Sequence, residues 1–216
     1  MNIPVLYQDP SLIVCEKPVG VSSESPGLPD LLAEQTGKTV YPVHRLDQGT
    51  GGVIILALSG RCCTSMQHFF QSGQVKKTYL AVVAGTLSQS EGIFEDDLFH
   101  DKRTNKTFVV TRHRAGVKHA VCSWTALQTV SSDQGELSLV RIILHTGRSH
   151  QIRVQFGSRK HPLAGDRKYG SRIHTDTPAL WATEITFPHP ANPGTMINAA
   201  SFPPDIYPWN LFSIIS

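Results

Sequence analysis

Segments in which apolar and polar positions alternate, or in which apolar residues run together, occur throughout this chain. Both patterns are typical of strands that face a core on one side or on both. The most apolar segment, GVIILAL, predicts a fully buried strand. In chain order, strands are predicted at residues 3–7, 12–16, 52–58, 78–84, 120–130, 137–146, 179–187 and 195–200.

Helical patterns are fewer and shorter. Ser59 is a predicted N-cap, and the helix that follows it is closed by Gly73. A helical turn is predicted at 30–35. Residues 147–157 fit both a strand and a helix, and we favour the helix. Residues 101–118 have no clear period, which predicts either a loop or an extended hairpin arm.

The number of strands and their hairpin-length connections predict the fold class. We expect an α+β fold with a mixed, largely antiparallel central sheet and flanking helices and loops. Hydrophobic residues make up 40% of the chain and charged residues 17%, which excludes gross disorder. A chain of 216 residues can fold without disulfides or metals, so we expect a single domain over residues 1–216.

Cysteine usage and the N-terminal sequence predict the compartment. The four cysteines form no CxxC pair, so we expect reduced, mostly buried thiols rather than a zinc site or a disulfide framework. The segment MNIPVLYQDP lacks the basic and apolar pattern of a signal peptide. No apolar run approaches the ~20 residues that span a bilayer. We therefore expect a cytoplasmic protein that does not bind a membrane.

The net charge of +3 is unevenly distributed along the chain. Residues 141–172 contain eight Lys or Arg and one acid, and residues 101–118 contain six Lys or Arg and one acid. Two basic segments on an otherwise acidic chain indicate a surface that binds a polyanion. Nucleic acid is favoured over a membrane because no basic amphipathic helix stands out. The alternative is a charged, solvated face without a partner.

Three segments concentrate reactive side chains. In the first, His44, Arg45 and Asp47 occupy a loop directly before the buried strand. A charged triplet at a strand entrance is typical of the edge of an active site, and the alternative is a salt bridge within the loop. Three glycines follow Asp47, namely Gly49, Gly51 and Gly52. Glycine permits a positive φ or the close approach of another backbone.

The second and third segments carry an aromatic residue and a polar cluster. Tyr79 enters a strand directly after two lysines, although a tyrosine in a strand is more often a core residue with a hydrated hydroxyl. The third segment, TGRSHQIRVQF, contains Arg148, His150, Gln151 and Arg153 within six positions. Its arginines are suited to bidentate contacts with phosphate or carboxylate, and the alternative is again a solvated face.

Several other chemistries are disfavoured because their motifs are missing. The chain has no HExxH motif, no phosphate-binding GxxxxGK loop, no GxGxxG after a strand and no GxSxG. Its ten histidines are scattered without the spacing of metal ligands, so no metal site is expected. The acids form no obvious pair of the kind that a glycosidase uses.

Taken in order, these segments resemble the RluA-type pseudouridine synthase family through most of the chain. LYQDPSLIVCEKPVGV is similar to the family's opening strands and NKP-G turn, and VHRLDQGTGGVIILAL to its HRLD motif. KKTYLAVVAG is similar to its tyrosine motif, and TGRSHQIRVQF with HPLAGDRKYG to its third motif and the following turn. LWATEITFPHP is similar to its closing strand. This sequence has Glu16 where Asn is common, Gly51 where Ser is usual and Trp181 where His is usual.

The resemblance implies an enzyme that isomerises specific uridines in structured RNA, rRNA or tRNA, without a cofactor or a metal. It implies that the target base is flipped into a pocket and that Asp47 is the catalytic carboxylate, acting on the sugar, on the base or at C2′. Arg153 is the implied partner of Asp47, and Tyr79 is implied to stack on the base and to act in proton transfer at C5. The implied substrate-binding residues are His44, Arg45, Thr50, Lys77, Arg148, His150 and Gln151.

We further expect a stand-alone family member without an N-terminal S4 RNA-binding domain, and a monomer without an obligate protein partner. The arm at 101–118 is the expected place of RNA choice. Two alternatives stay open. One is an RNA-binding module or chaperone that keeps the fold without the chemistry. The other is an unrelated hydrolase that uses His44 and Asp47 on small substrates.

Overall fold

The computed structural model describes residues 1–112 and 114–213. The chain divides into two compact units. Unit 1 comprises Met1–Thr78 and Trp181–Pro203, and unit 2 comprises Tyr79–Leu180 and the chain from Pro204 onwards. The mixed structure of strands and helices confirms the predicted fold class, whereas the single domain over residues 1–216 stays a prediction. None of the described helices has the length and apolar character needed to cross a membrane.

The helices and strands follow the predicted order closely. The helices are α1 Leu28–Thr36, α2 Gly60–Gln71 and α3 Gln151–Ser158. The strands are β1 Val5–Gln8, β2 Leu12–Lys17, β3 Tyr41–Pro42, β4 Gly51–Ala57, β5 Lys76–Ala84, β6 Glu91–Asp101, β7 Lys106–Val109, β8 Val117–Ser132, β9 Gly135–Leu144, β10 Leu180–Pro188 and β11 Met196–Ala200. All eight predicted strands are confirmed, and so is the helix favoured for 147–157, which begins later than predicted.

Unit 1 contains a sheet in the order β1-β2-β4-β10, with β3 paired to β4 and β11 paired to β10. Strand β2 is antiparallel to β4, and β10 is antiparallel to β11. The contact of β10 with β4 is parallel and short, with Trp181 opposite Gly51 and Ala182 opposite Gly52. β4 therefore pairs with β2, β3 and β10 and lies at the centre of this sheet.

The core of unit 1 lies between this sheet and α2. β4 is buried along its whole length, as its apolar sequence predicts. Ser59 is the N-cap of α2, and its hydroxyl accepts a hydrogen bond from the backbone N–H of Cys62 at 3.2 Å. The helix buries Cys62 and Met66 in the same cluster as Val53 and Phe187. The predicted cap and helix are thereby confirmed.

Unit 2 contains a sheet in the order β5-β9-β8-β6-β7. The pairs from β9 to β7 are all antiparallel. Helix α3 packs against β6 and β7, with Val154 of the helix in contact with Leu98 and Ala120. The residue before the helix, His150, has a left-handed backbone with φ 53°.

Strand β6 is not predicted by the sequence pattern, because only Phe94 and Leu98 of its eleven residues are buried. Five acids, spread over both faces, obscure any alternation in EGIFEDDLFHD. β6 and β7 form a hairpin, so residues 101–109 of the arm at 101–118 follow the hairpin alternative. The described residues 110–112 and 114–116 are not in a strand, as the loop alternative predicts. His113 of that arm lies outside the described residues.

The four cysteines are free thiols, as expected. Cys15, Cys62 and Cys122 are buried and Cys63 is partly buried. Burial raises the pKa of Cys15 and of Cys122 to about 12 and that of Cys62 to about 11, so these thiols stay protonated at neutral pH.

Candidate active site

Asp47 lies in a tight turn that leads directly into β4. The backbone N–H of Thr50 donates a hydrogen bond to the carbonyl of Asp47 at 2.9 Å, which closes the turn. Thr50 is buried, at 2% exposure, whereas Asp47 is half-buried. The carboxylate is thus carried by a short, fixed turn at the entrance to the most buried strand of unit 1.

Lys17, at the end of β2, is a buried cation beside this turn. Its ammonium group donates to three backbone carbonyls, those of Pro18 at 2.9 Å, Val21 at 2.8 Å and Gln48 at 3.3 Å. An ammonium has three N–H donors, so all of them are satisfied by backbone. Burial lowers the pKa of Lys17 to about 8, against the opposing attraction of Asp47 and Cys15. Lys17 therefore holds the turn and attracts its carboxylate.

Lys17 is absent from the residues that the sequence singled out. The only signal was its place in the EKPVG turn at the end of an apolar strand. A lysine is rarely fully buried unless it is paired, and nothing in the neighbouring sequence identifies the three carbonyls that surround it.

His44 precedes the turn and is bound within unit 1. Its Nε2 accepts a hydrogen bond from the backbone N–H of Ile55 at 3.0 Å, and its ring lies 4.6 Å from the ring of Phe70. Burial, and then the charge of Lys77, lower the pKa of His44 to about 3. The imidazole is therefore neutral, and the nitrogen that accepts from β4 is already occupied.

The other predicted residues of unit 1 differ in exposure. The Arg45 side chain is 68% exposed and lies 3.1 Å from Glu24, an ion pair of the kind that contributes little to stability. The Lys77 ammonium lies 5.8 Å from the centre of the Phe70 ring. Arg45 is thus exposed, in contrast to the buried cation Lys17.

In unit 2, Arg153 is held by a buried acid. Its Nε and Nη2 donate to the two carboxylate oxygens of Asp166 at 2.7 and 2.9 Å. Side-chain exposure is 11% for Arg153 and 1% for Asp166. The guanidinium also lies 5.2 Å from the centre of the Tyr169 ring. The bidentate pair fixes both the plane and the position of the Arg153 guanidinium.

Asp166 is a second residue that the sequence did not single out. It is the one acid of the basic segment 141–172, and this isolation is the signal that points to it in retrospect. In the sequence, this carboxylate only lowers the net charge of the segment. The fold places it against one particular arginine, Arg153.

His150 belongs to a network that connects the turn before α3 with the β6–β7 hairpin. Its Nδ1 lies 2.8 Å from the hydroxyl of Tyr169, which also accepts from the backbone N–H of Thr107 at 2.8 Å. The Thr107 hydroxyl in turn donates to the carbonyl of Ser149 at 2.8 Å. Burial raises the pKa of Tyr169, so the phenol stays protonated. These bonds fix the hairpin to the start of α3.

The remaining predicted residues of unit 2 are engaged internally. Gln151 is 3% exposed, and its side-chain oxygen accepts from the Thr146 hydroxyl at 2.8 Å and the backbone N–H of Arg148 at 3.1 Å. The Arg148 Nε donates to the carbonyl of His119 at 2.8 Å. Tyr79 is buried in β5, at 7% exposure.

The structure thus places the predicted residues in two groups. His44, Arg45, Asp47, Thr50 and Lys77 belong to unit 1, whereas Tyr79, Arg148, His150, Gln151 and Arg153 belong to unit 2. Their roles stay predictions. In the part of the chain that the structure describes, no three His, Cys, Asp or Glu side chains are grouped as metal ligands.

Comparison with known proteins identifies related sequences and folds. A family model described as RNA pseudouridylate synthase matches residues 11–158. The tRNA pseudouridine synthase C of Pasteurella multocida (strain Pm70) is 34% identical over 216 residues, which cover 88% of this chain and 87% of that protein. The protein of the same name from Haemophilus influenzae (strain ATCC 51907 / DSM 11121 / KW20 / Rd) is 32% identical over 184 residues, which cover 78% and 76%.

A solved structure, human RNA pseudouridylate synthase domain containing 1, has the same fold. It superposes with a TM-score of 0.82 at 21% identity and covers 95% of this chain and 85% of that chain. The family match includes the turn that carries Asp47 and all of α3.

Proposed function

The chain belongs to the RNA pseudouridylate synthase family, and from this membership we propose that it uses Asp47 to isomerise uridines in structured RNA. The resemblance seen in the sequence is confirmed, and the chain is an RNA pseudouridine synthase. In this reaction the N1–C1′ bond of the uridine breaks, the uracil rotates while it is held, and C5 bonds to C1′. The hydrogen on C5 then leaves as a proton.

The observation that carries the assignment of Asp47 is its place on a turn held by a buried cation. Carboxylate chemistry of this kind needs an ionised group whose position is fixed before the substrate arrives. The Lys17 ammonium contributes to the fixed position in unit 1, because it donates to the carbonyl of Gln48 within the turn.

Tyr79 and Arg153 are the other two proposed catalytic residues. Tyr79 stacks on the uracil and acts in proton transfer at C5, a role supported by its largely buried ring. Arg153 supplies a fixed positive charge to the reaction, and its bidentate bond to Asp166 supports this role because it removes the freedom of a long side chain.

We propose tRNA as the substrate class, in preference to rRNA, because relatives above 30% identity carry the name tRNA pseudouridine synthase C. Extruding the target base costs a few kcal/mol, and stacking on an aromatic ring returns about 1–3 kcal/mol. Arg45, exposed beside the Asp47 turn, supports the flipped nucleotide. The basic segments contact phosphates.

Of the implied substrate-binding residues, Thr50, Lys77, Arg148 and His150 keep that proposed role. The proposal gives His44 and Gln151 a supporting role instead, because their polar atoms bind the protein's own backbone. We place the enzyme in the cytoplasm as a monomer, as its sequence leads us to expect.

The test is tritium release from RNA whose uridines are tritiated at C5, because forming the C5–C1′ bond expels that hydrogen. The RNA is isolated from cells that lack the gene. We expect release by the wild type and, for Asp47→Asn, a loss of at least about 1,000-fold, as is typical when an essential catalytic group is removed.

Asp133→Asn is the matched control, because Asp133 is an exposed acid in the turn between β8 and β9. It should release tritium at the wild-type rate. Release by a folded Asp47→Asn protein at the wild-type rate would show that another residue is the catalytic carboxylate. No release by the wild type on RNA that it binds would favour the binding-module alternative.

A further inference from the structure

Trp181 lies against a glycine at the start of β4. If Gly51 carried a Cβ, that atom would lie 2.3 Å from Cζ3 of Trp181 and 2.8 Å from Cε3. Real Cβ atoms do not approach other atoms so closely, and Trp181 is only 4% exposed, so its ring has little room to move away. The indole ring therefore fills the space that a side chain at position 51 would need.

The indole also begins a short chain of hydrogen bonds. Its Nε1 donates to the hydroxyl of Ser201 at 3.2 Å, and that hydroxyl donates to the Glu16 carboxylate at 2.6 Å. Ser201 is itself buried, at 5% exposure. The structure thus joins Glu16, Gly51 and Trp181 in one set of contacts.

This set of contacts is next to the turn that carries Asp47. Gly51 directly follows the turn residue Thr50, and its partner across the sheet is Trp181. The following residue, Gly52, has φ 109°, and a Cβ there would lie 2.2 Å from the carbonyl oxygen of Ala182. β10 therefore packs closely along both glycines on one side of β4.

The other side of β4 is held by β2. Lys17 is opposite Gly52 in that pair, and its ammonium donates to the carbonyl of Gln48 within the turn. The Asp47 turn is thus fixed from both neighbouring strands, by a cation on one side and by an indole ring on the other.

We propose that Trp181 is a positioning residue for Asp47, acting through Gly51. The ring sets where β4 begins and so where the turn holds its carboxylate. This inference rests on the proposed catalytic role of Asp47. It assigns to Trp181 no contact with the substrate, so it predicts an effect on kcat rather than on RNA binding.

The first variant adds one methyl group, Gly51→Ala. Because the methyl and the indole cannot occupy the same space, the turn must shift. A misplacement of this size is expected to lower kcat by about 100-fold. KM for RNA should stay within about threefold, because binding to phosphates is unaffected.

The second variant makes room for the methyl group. Trp181→Leu alone leaves a gap beside Gly51 and should lower kcat with little change in KM. Combined with Gly51→Ala, it should raise kcat well above that of Gly51→Ala alone, because the smaller side chain admits the methyl. A folded Gly51→Ala protein with the wild-type kcat, or a double variant no better than Gly51→Ala, would overturn the proposal.

Unit 2 offers a matched control. A Cβ on Gly92 would lie 2.9 Å from Cζ2 of Trp124, the same kind of contact in the other unit. Gly92→Ala should lower the melting temperature and keep kcat near the wild-type value. An equal loss of kcat in Gly92→Ala would mean that general destabilisation explains the effect, and would overturn the proposal.

Hydrogen exchange of the Thr50 amide separates this inference from the proposed function. That amide closes the turn, so Trp181→Leu should accelerate its exchange whether or not Asp47 is catalytic. Unchanged exchange would overturn the positioning role. Asp47→Asn, assayed in parallel, reports on the catalytic role alone. If Gly51→Ala does not fold, kcat and amide exchange of Trp181→Leu decide the question.

Discussion

Unit 1 and unit 2 hold their candidate residues by different means. In unit 1 the Asp47 turn is fixed by backbone, through three carbonyls around the Lys17 ammonium and an N–H of β4 on His44. In unit 2 the bonds to Arg153 join one side chain to another. A group held by backbone carbonyls moves only if a strand moves, whereas replacing Asp166 weakens the bidentate hold on the Arg153 guanidinium.

The largest expected effect comes from breaking the buried pair of unit 2. Asp166→Asn removes the negative charge of a buried ion pair with Arg153, and a broken buried pair costs about 3–5 kcal/mol. Urea unfolding followed by circular dichroism measures the loss.

The control is Glu24→Gln, which breaks the exposed pair with Arg45 and should leave the free energy of unfolding nearly unchanged. If the two substitutions lower the free energy of unfolding equally, the Asp166 carboxylate does not stabilise unit 2. The two units would then not differ in the way proposed.

A smaller effect, on the pH dependence of stability, tests the cation of unit 1. Burial lowers the pKa of Lys17 from 10.5 to about 8. Between these two values the unfolded chain keeps the proton that the folded chain loses, so stability rises with pH in this window. The slope is at most about 1.4 kcal/mol per pH unit.

The free energy of unfolding, measured by urea at pH 7 to 10.5, should therefore rise in the wild type relative to Lys17→Met. The difference between the two proteins removes the titration of groups that they share, such as the buried thiols. Lys38→Met changes an exposed position, so its free energy of unfolding should change with pH in the same way as that of the wild type. A constant difference between wild type and Lys17→Met over this range would contradict the burial of a charged Lys17.

The smallest expected effect compares surface cations of the two units. Lys102 is exposed in the basic arm of unit 2, and Lys38 is exposed after α1 in unit 1. If the arm contacts RNA phosphates, Lys102→Gln should reduce the slope of log K against log salt by about 1. Lys38→Gln should leave the slope unchanged. If both variants have the same slope of log K against log salt, the arm is not part of the RNA-binding surface.

The sequence predicts most of the fold because most strands bury a continuous or alternating apolar face. It fails for β6, in which two buried residues stand among acids. For the site, the sequence singles out Asp47 and Arg153, whose catalytic roles stay predictions. It does not predict Lys17 or Asp166, because their partners are backbone carbonyls and a side chain fixed by the fold.

His44 and Gln151 show a second limit. The family resemblance implies that both bind the substrate, and this role stays a prediction. Polarity alone does not distinguish a side chain that faces a ligand from one that satisfies the protein's own backbone, and both residues make such internal bonds. The sequence also does not predict the contact of Trp181 with Gly51. It shows two unusual residues but not that they touch.

The contact between Gly51 and Trp181 also limits the order in which mutations can accumulate in this lineage. A descendant that gains a side chain at position 51 while the indole is in place must pass through a damaged intermediate. One in which position 181 shrinks first passes through a gap beside Gly51, which a later addition at 51 fills. Either order includes an intermediate with a lowered kcat, so the two positions are expected to change together.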